Sequence, residues 1–214
     1  MMNEWLKWKI EKQLGKTASA LEKNGFTALV CESGSDAANL VMGFAEGAQT
    51  VGLGGSLTVA GLNLPGKLSD AGKECLNHSA PGLAPEERLA IMRRQLTADL
   101  FLTGANAVTL DGKLVNIDAT GNRVGAMTFG PKKVIVLAGC NKLVQDVDAG
   151  LKRIRLWAAP PNAKRIGAAT PCVETGFCSD CDSPQRICRV VHVLEKRPRL
   201  TDITVILIAE TLGL

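Results

Sequence analysis

Tyrosine is absent from this chain of 214 residues, and aromatic residues together make up only 4% of it. Proteins that grip single-stranded nucleic acid stack bases on aromatic side chains along a basic groove. Here the formal charge of +4 is spread out, and the basic clusters (Lys132-Lys133, Lys152 to Arg155, Lys196 to Arg199) are short. Nucleic acid is therefore not an expected partner. No apolar run reaches the ~18–20 residues of a membrane span. The opening M-M-N-E-W-L-K-W-K-I-E-K has no apolar stretch before a small-residue cleavage site, so no secretory leader is expected. Neither nucleotide fingerprint, G-x-G-x-x-G or the Walker loop, occurs in the right spacing. Seven cysteines without a secretion signal fit a reducing cytoplasm, where thiols serve metals or redox chemistry rather than disulfides.

What is present is a core former, with 46% hydrophobic residues, ordered as an α/β alternation. Trp5 to Asn24 has apolar residues near a 3.6-residue period and ends on Asn24-Gly25. Phe26–Cys31 is a strand candidate, and Ser33–Glu46 a helix capped by Ser33 or Ser35. Thr50–Leu53 is a strand running into Gly54-Gly55-Ser56-Leu57-Thr58. Leu64 to His78 reads as a helix-and-loop link, in which Cys75 and His78 lack partners for a metal site and take structural roles. Pro85 to Leu102 reads as one helix with an apolar stripe at Leu89, Met92, Leu96 and Leu100. Asp111-Gly112 is a hairpin turn joining Ala107–Leu110 to Leu114–Ile117. Asp118 to Asn122 leads into a helix Arg123–Phe129, and the buried strand Lys133–Ala138 follows. Gly139-Cys140-Asn141-Lys142 then opens a helix Leu143–Leu156, and Ala158–Asn162 breaks it. Arg189–Leu194 and Thr201–Glu210 are the last strand candidates. This grammar predicts a mixed, mostly parallel sheet flanked by helices. The expected organisation is one domain over 1–214, with an N-terminal helix 3–24 and a cysteine-rich insertion 170–189.

In such a sheet the strand C-termini, facing helix starts, form the ligand crevice. Gly54 and Gly55 allow backbone to approach a bound group, and the Ser56 and Thr58 hydroxyls offer donors. Thr120, Asn122 and the backbone of Gly121 suit an anion at a helix start. Arg123 can pair bidentately with a carboxylate or phosphate, or make an ion pair within the fold. Asn141 and Lys142 form the opposite lip. Asp118 and Lys142 are the candidate catalytic residues, and Asp111 serves its turn.

The blocks Gly54-Gly55-Ser56-x-Thr58, Asn106-Ala107-x-Thr109-x-Asp111-Gly112, Asn116-x-Asp118-x-x-Gly121-Asn122-Arg123, Phe129-Gly130-Pro131-Lys132 and Gly139-x-Asn141-Lys142 stand in the order seen in one family. Through them the chain resembles the LUD, or lactate-utilisation-type, domain family, its members like lactate utilisation protein C, formerly a family of unknown function. The resemblance implies a fold of the NagB/RpiA/CoA-transferase-like group. It also implies a link to oxidation of L-lactate to pyruvate beside iron–sulfur partner subunits, as an oxidoreductase or a component of an oxidoreductase complex. No residue here matches the nucleophilic glutamate of the CoA transferases.

Cys172, Cys178, Cys181 and Cys188 follow the pattern C-x5-C-x2-C-x6-C within 17 residues. Four soft thiolates at this density suit either tetrahedral zinc or a [4Fe–4S] cluster, and the redox context of the resembled family favours the cluster. The expected function is thus redox metabolism of a small organic acid such as lactate, with a small anionic ligand in the crevice and a metal centre at the cysteines. Two other readings stay open. One is a non-redox isomerase or CoA-transferase-like enzyme with structural zinc. The other is a ligand-sensing regulatory protein. Trp5 and Trp8 could pack on the core or on a second copy in a homo-oligomer.

Overall fold

The structure is a computed structural model and describes residues 3–214. Its centre is a six-stranded, all-parallel sheet in the order β1-β10-β7-β4-β2-β3. The strands are β1 (Thr27–Cys31), β2 (Thr50–Leu53), β3 (Glu74–Asn77), β4 (Leu100–Gly104), β7 (Lys133–Gly139) and β10 (Asp202–Ile208). A second sheet, in the order β8-β5-β6-β9, holds β5 (Ala107–Thr109), β6 (Leu114–Asp118), β8 (Leu143–Val144) and β9 (Val190–Leu194). The antiparallel hairpin that Asp111-Gly112 predicts is β5–β6, and the fold sets it apart in this second sheet. Among the described residues no helix is long and apolar enough to cross a membrane.

The two faces of the large sheet bury alternate residues, as a period of two demands. Leu100, Leu102, Ile135, Leu137, Ile206 and Ile208 face α2 (Gly34–Ala45), α3 (Leu57–Gly61) and α4 (Leu64–Asp70), through Ala37, Val41, Val59 and Leu64. Phe101, Val134, Val136, Val205 and Leu207 face the other way, onto α1 (Glu4–Lys23), α6 (Asn122–Thr128) and the inner side of the second sheet. The outer side of that sheet is covered by α7 (Val147–Arg153) and a π-helical turn, Ile154–Ala158.

Four expectations are corrected. The helix expected over Pro85–Leu102 stops at Gln95, as α5 (Pro85–Gln95), and Leu100–Gly104 is the central strand β4, buried throughout. Leu96 and Leu100 fall at i,i+4 by coincidence. The intervening turn is fastened by Asp99, whose carboxylate accepts from the Gln49 and Thr50 amides. The link over Leu64–His78 contains the edge strand β3. The helix expected from Leu143 begins at Val147, capped by Asp146, because Leu143-Val144 pairs with β5. Ala158–Asn162 does not break the chain. The helix runs on through the π-helical turn Ile154–Ala158 into α8 (Ala159–Arg165), whose first turn takes both prolines. Trp5 and Trp8 lie outside the core, 73% and 61% exposed, while Leu14, Thr17 and Leu21 carry the buried stripe of α1.

α1 is locked to the hairpin at one point. The Asn24 side chain donates to the carbonyls of Asp111 and Gly112. Gly112 has φ +83°, and a Cβ there would lie 2.4 Å from the Ala20 carbonyl carbon. Gly112→Ala should therefore cost about 1–3 kcal/mol, from backbone strain and the forced retreat of the helix. Urea unfolding of the variant measures this, and a loss within error of zero would contradict the packing.

Candidate functional site

β2 is followed by β3 on one side of it, whereas β4 is followed, within the large sheet, by β7 on the other side. The C-terminal ends of adjacent β2 and β4 are thus the topological switch point, where parallel α/β sheets open a crevice. A crevice of about 440 Å³ lies there. Gly54, Gly55, Ser56 and Thr58 form its lip after β2, Gly104 to Asn106 its floor after β4, and Asp118, Thr120, Asn122 and Arg123 its wall after β6. The glycines permit this closeness. A Cβ on Gly104 would stand 2.7 Å from Ser56 Oγ, and one on Gly54 2.8 Å from Thr103 Oγ1. Ser56 caps α3 by accepting from the Val59 amide.

Arg123 is spent within the fold. Its Nε and Nη2 donate to one carboxylate oxygen of Asp118 at 2.8 and 2.6 Å. Nη1 donates to the Gly104 carbonyl and Asn116 Oδ1, and Nη2 also to Asn106 Oδ1 and the Ile117 carbonyl. The other Asp118 oxygen accepts from the Val124 amide, in the first turn of α6. Both side chains line the crevice, yet each already has its counter-charge.

Lys142 is different. It is only 4% exposed, and its ammonium has one long contact, 3.4 Å to the Ala105 carbonyl. Among the described residues no carboxylate pairs with it. Burial, followed by the positive charges of Arg153 and Arg123, lowers its pKa to about 8. Arg153 is itself fixed by donating to the carbonyls of Asn141 and Asn106. Burying an ammonium alone among guanidinium groups is costly, and an anion bound beside it would offset that cost.

The cysteine loop starts from α8 and returns to the crevice. A short helix, α9 (Pro171–Thr175), carries Cys172. Arg186 laces the loop, donating to the carbonyls of Cys188 and Cys181 and to the Asp180 carboxylate. At the loop's exit the Arg189 amide donates to the Asp118 carbonyl, and β9 then pairs with β6. None of the four cysteines is in a disulfide, and all line one small pocket with Arg186, Ile187 and Ala159. Among the described residues no three His, Cys, Asp or Glu side chains converge as the shell of a single metal ion. Burial, and then the neighbouring sulfur of Cys178, raises the pKa of Cys188. Ala159, Ile187 and Cys188 line both this pocket and the crevice.

The model of the LUD domain matches residues 14–208. The chain belongs to the LUD domain family. A solved structure of a DUF162 family protein from Deinococcus radiodurans is similar over 94% of this chain and 98% of its own, with a TM-score of 0.52. At 17% identity that likeness speaks for the fold alone. Among curated proteins, none matches this chain.

In this LUD domain the crevice gathers Gly54, Gly55, Ser56, Thr58, Asp118, Thr120, Asn122, Arg123 and Lys142. Gly121 and Asn141 are not among its lining residues. Gly121 supplies the left-handed N-cap of α6 at φ +88°, and Asn141 Oδ1 accepts from the Leu212 amide. Lys142 arrives on a 3-10 turn, Cys140–Lys142, rather than at an α-helix start. Asp111 serves the hairpin turn, accepting from the Thr109 hydroxyl. His78, read as structural from sequence, stands in the crevice wall just after β3. The only signal that could have found it was recognition of β3 as a strand whose end meets the switch point.

Two stability measurements separate the roles of the cations. Arg123→Met leaves Asp118 charged and buried without its partner, so it should cost about 3–5 kcal/mol. Lys142→Met removes an unpaired buried charge and should stabilise the fold at pH 7 by about 1–4 kcal/mol. Between pH about 8 and 10.5 the folded protein holds fewer protons at Lys142 than the unfolded chain does, so the parent's stability from this residue rises across that window. The advantage of Lys142→Met should therefore shrink from pH 8 to 10.5 in denaturant titrations. A pH-independent gap would mean that Lys142 is not buried as a charge.

Proposed function

We propose that this LUD domain takes part in redox metabolism of a small organic acid such as lactate. The acid's carboxylate would pair with Lys142 in the crevice, and a [4Fe–4S] cluster would be held by Cys172, Cys178, Cys181 and Cys188. The observation that carries the reading is the common wall: Cys188, with Ala159 and Ile187, borders both the crevice and the pocket of thiols. A ligand bound at Lys142 and a centre bound at the cysteines would be neighbours. In number and chemistry the four soft thiols suit the cluster, but they do not converge as a metal shell in this structure, so binding would have to draw them together. When bound, the cluster would supply one-electron transfer beside the acid. The chain itself would contribute the cation that holds the carboxylate, the Gly54-Gly55-Ser56 lip beside it, and the Arg186 hydrogen bonds to the Cys181 and Cys188 carbonyls that shape the thiol loop.

The crevice volume falls within the ~300–1,000 Å³ of pockets that enclose drug-sized ligands. It leaves room beyond a three-carbon acid, for a second reactant or for a docked portion of an iron–sulfur partner subunit. Electrons would leave through such a partner.

Anaerobic purification followed by iron, sulfide and zinc analysis tests the centre. The expected result is about four irons per chain with thiolate-to-iron charge-transfer absorbance, lost in Cys181→Ser. Stoichiometric zinc without iron would overturn electron transfer and leave a non-redox enzyme with structural zinc. In parallel, pyruvate or L-lactate should raise the melting temperature of the parent and not of Lys142→Met.

A further inference from the structure

We propose that His78 is a ligand-contacting residue of the same crevice, donating from Nε2–H to the 2-oxygen of a bound 2-oxo or 2-hydroxy acid, with Gln95 as its positioning residue. The proposal rests on the reading that a small organic acid occupies the crevice, and it adds the group that would tell such an acid from a plain carboxylate.

Gln95, the last residue of α5, is 1% exposed. Its Nε2 lies 2.9 Å from the Leu53 carbonyl and 2.8 Å from the Leu76 carbonyl. These are the last residue of β2 and the penultimate residue of β3, neighbouring strands whose ladder opens there. Both partners can only accept, so the amide has one orientation: its NH2 end faces them. The same nitrogen stands 2.9 Å from His78 Nδ1. The NH2 group has two hydrogens for three acceptors and must share them; a ring N–H at Nδ1 would point at that NH2 group, so the contact favours Nδ1 as acceptor and the ring proton on Nε2. Burial holds the His78 pKa below the ordinary histidine value, which keeps the ring in this neutral form.

Nε2 faces the lip of the crevice, where a Cβ on Gly55 would be 3.5 Å from it. No protein acceptor among the described residues takes its hydrogen. Gln95 Oε1, meanwhile, is buried with no partner, a state that costs about 1–3 kcal/mol. The crevice then offers two unlike groups. Lys142 is a cation suited to a carboxylate, and His78 is a neutral donor suited to an uncharged oxygen. A carboxylic acid with an oxygen on its second carbon presents that pair of functions.

The chain has only two histidines, so nitrogen-15 NMR can resolve both rings. In the free protein His78 should show the Nε2–H tautomer, and pyruvate should shift its Nε2 resonance while leaving His192 unmoved. Pyruvate and propionate, which differ at the second carbon, are the binding probes. The parent should bind pyruvate about fivefold to tenfold more tightly, the value of one hydrogen bond. His78→Phe, which leaves the Gln95 bridge between β2 and β3 intact, should erase that preference and keep propionate binding. Gln95→Met should release the tautomer and weaken pyruvate alone. An Nδ1–H tautomer in the free protein, or an unchanged pyruvate-to-propionate ratio in His78→Phe, overturns the proposal. If neither acid binds the parent, the small-acid reading itself fails and the proposal falls with it. Equal binding of the two acids by the parent refutes the His78 role while the anion reading stands.

Discussion

The guanidinium of Arg123 is where the two sheets of this protein become one structure. It reaches the Gly104 carbonyl at the end of β4 in the large sheet, Asn106 before β5, Asn116 and the Ile117 carbonyl in β6, and the Asp118 carboxylate. No smaller cation could make these contacts, because only the planar fork presents five donors in fixed directions. Asp118 completes the junction by accepting from the Val124 amide in α6, so a strand end, a helix start and a second sheet share one buried ion pair. The crevice wall is rigid because these groups are already satisfied. The same satisfaction removes Arg123 and Asp118 from the list of free reagents and leaves Lys142 as a buried charge with no ion pair among the described residues.

That division explains the placement of the cysteine loop. The loop must return to the second sheet to form β9, and the return is fixed by the Arg189 amide on the Asp118 carbonyl and by the β6–β9 ladder beyond it. The ion-pair junction therefore also anchors the loop, and Cys188, one residue before Arg189, is brought to the edge of the crevice. Proximity of thiols and crevice follows from strand pairing, and needs no contact of its own to maintain it.

Much of the architecture was legible in local pattern. The Asp111-Gly112 turn, the Ser33 and Ser56 caps, and the strands Thr50–Leu53 and Lys133–Ala138 each follow from rules that act over a few residues, and each stands in the fold close to its expected bounds. Of the site, the crevice lip and the wall from Asp118 to Arg123 were legible because they follow strand ends. The misreadings occur where tertiary burial overrode local spacing. Leu100–Gly104 is apolar enough for either a helix or a strand, and only its position between β7 and β2, with both faces covered, decides for strand. Leu143-Val144 sits at the start of a helical pattern but is claimed by β5. The prolines at 160 and 161 look like a stop and are instead taken into the first turn of α8, directly after the π-helical turn.

The sequence by itself determined the class of fold, the family, the inventory of chemistry-bearing residues and the grouping of four cysteines within one loop, because these depend on residue identity and short-range order. The tertiary structure decided what each of those residues is free to do. It spent Arg123 on the fold and left Lys142 buried without a counter-ion, and it turned His78 from an isolated residue into part of the crevice wall. Freedom of this kind is a matter of which partners lie within hydrogen-bonding reach, and those partners come from strands far apart in sequence that meet only when the sheets are assembled.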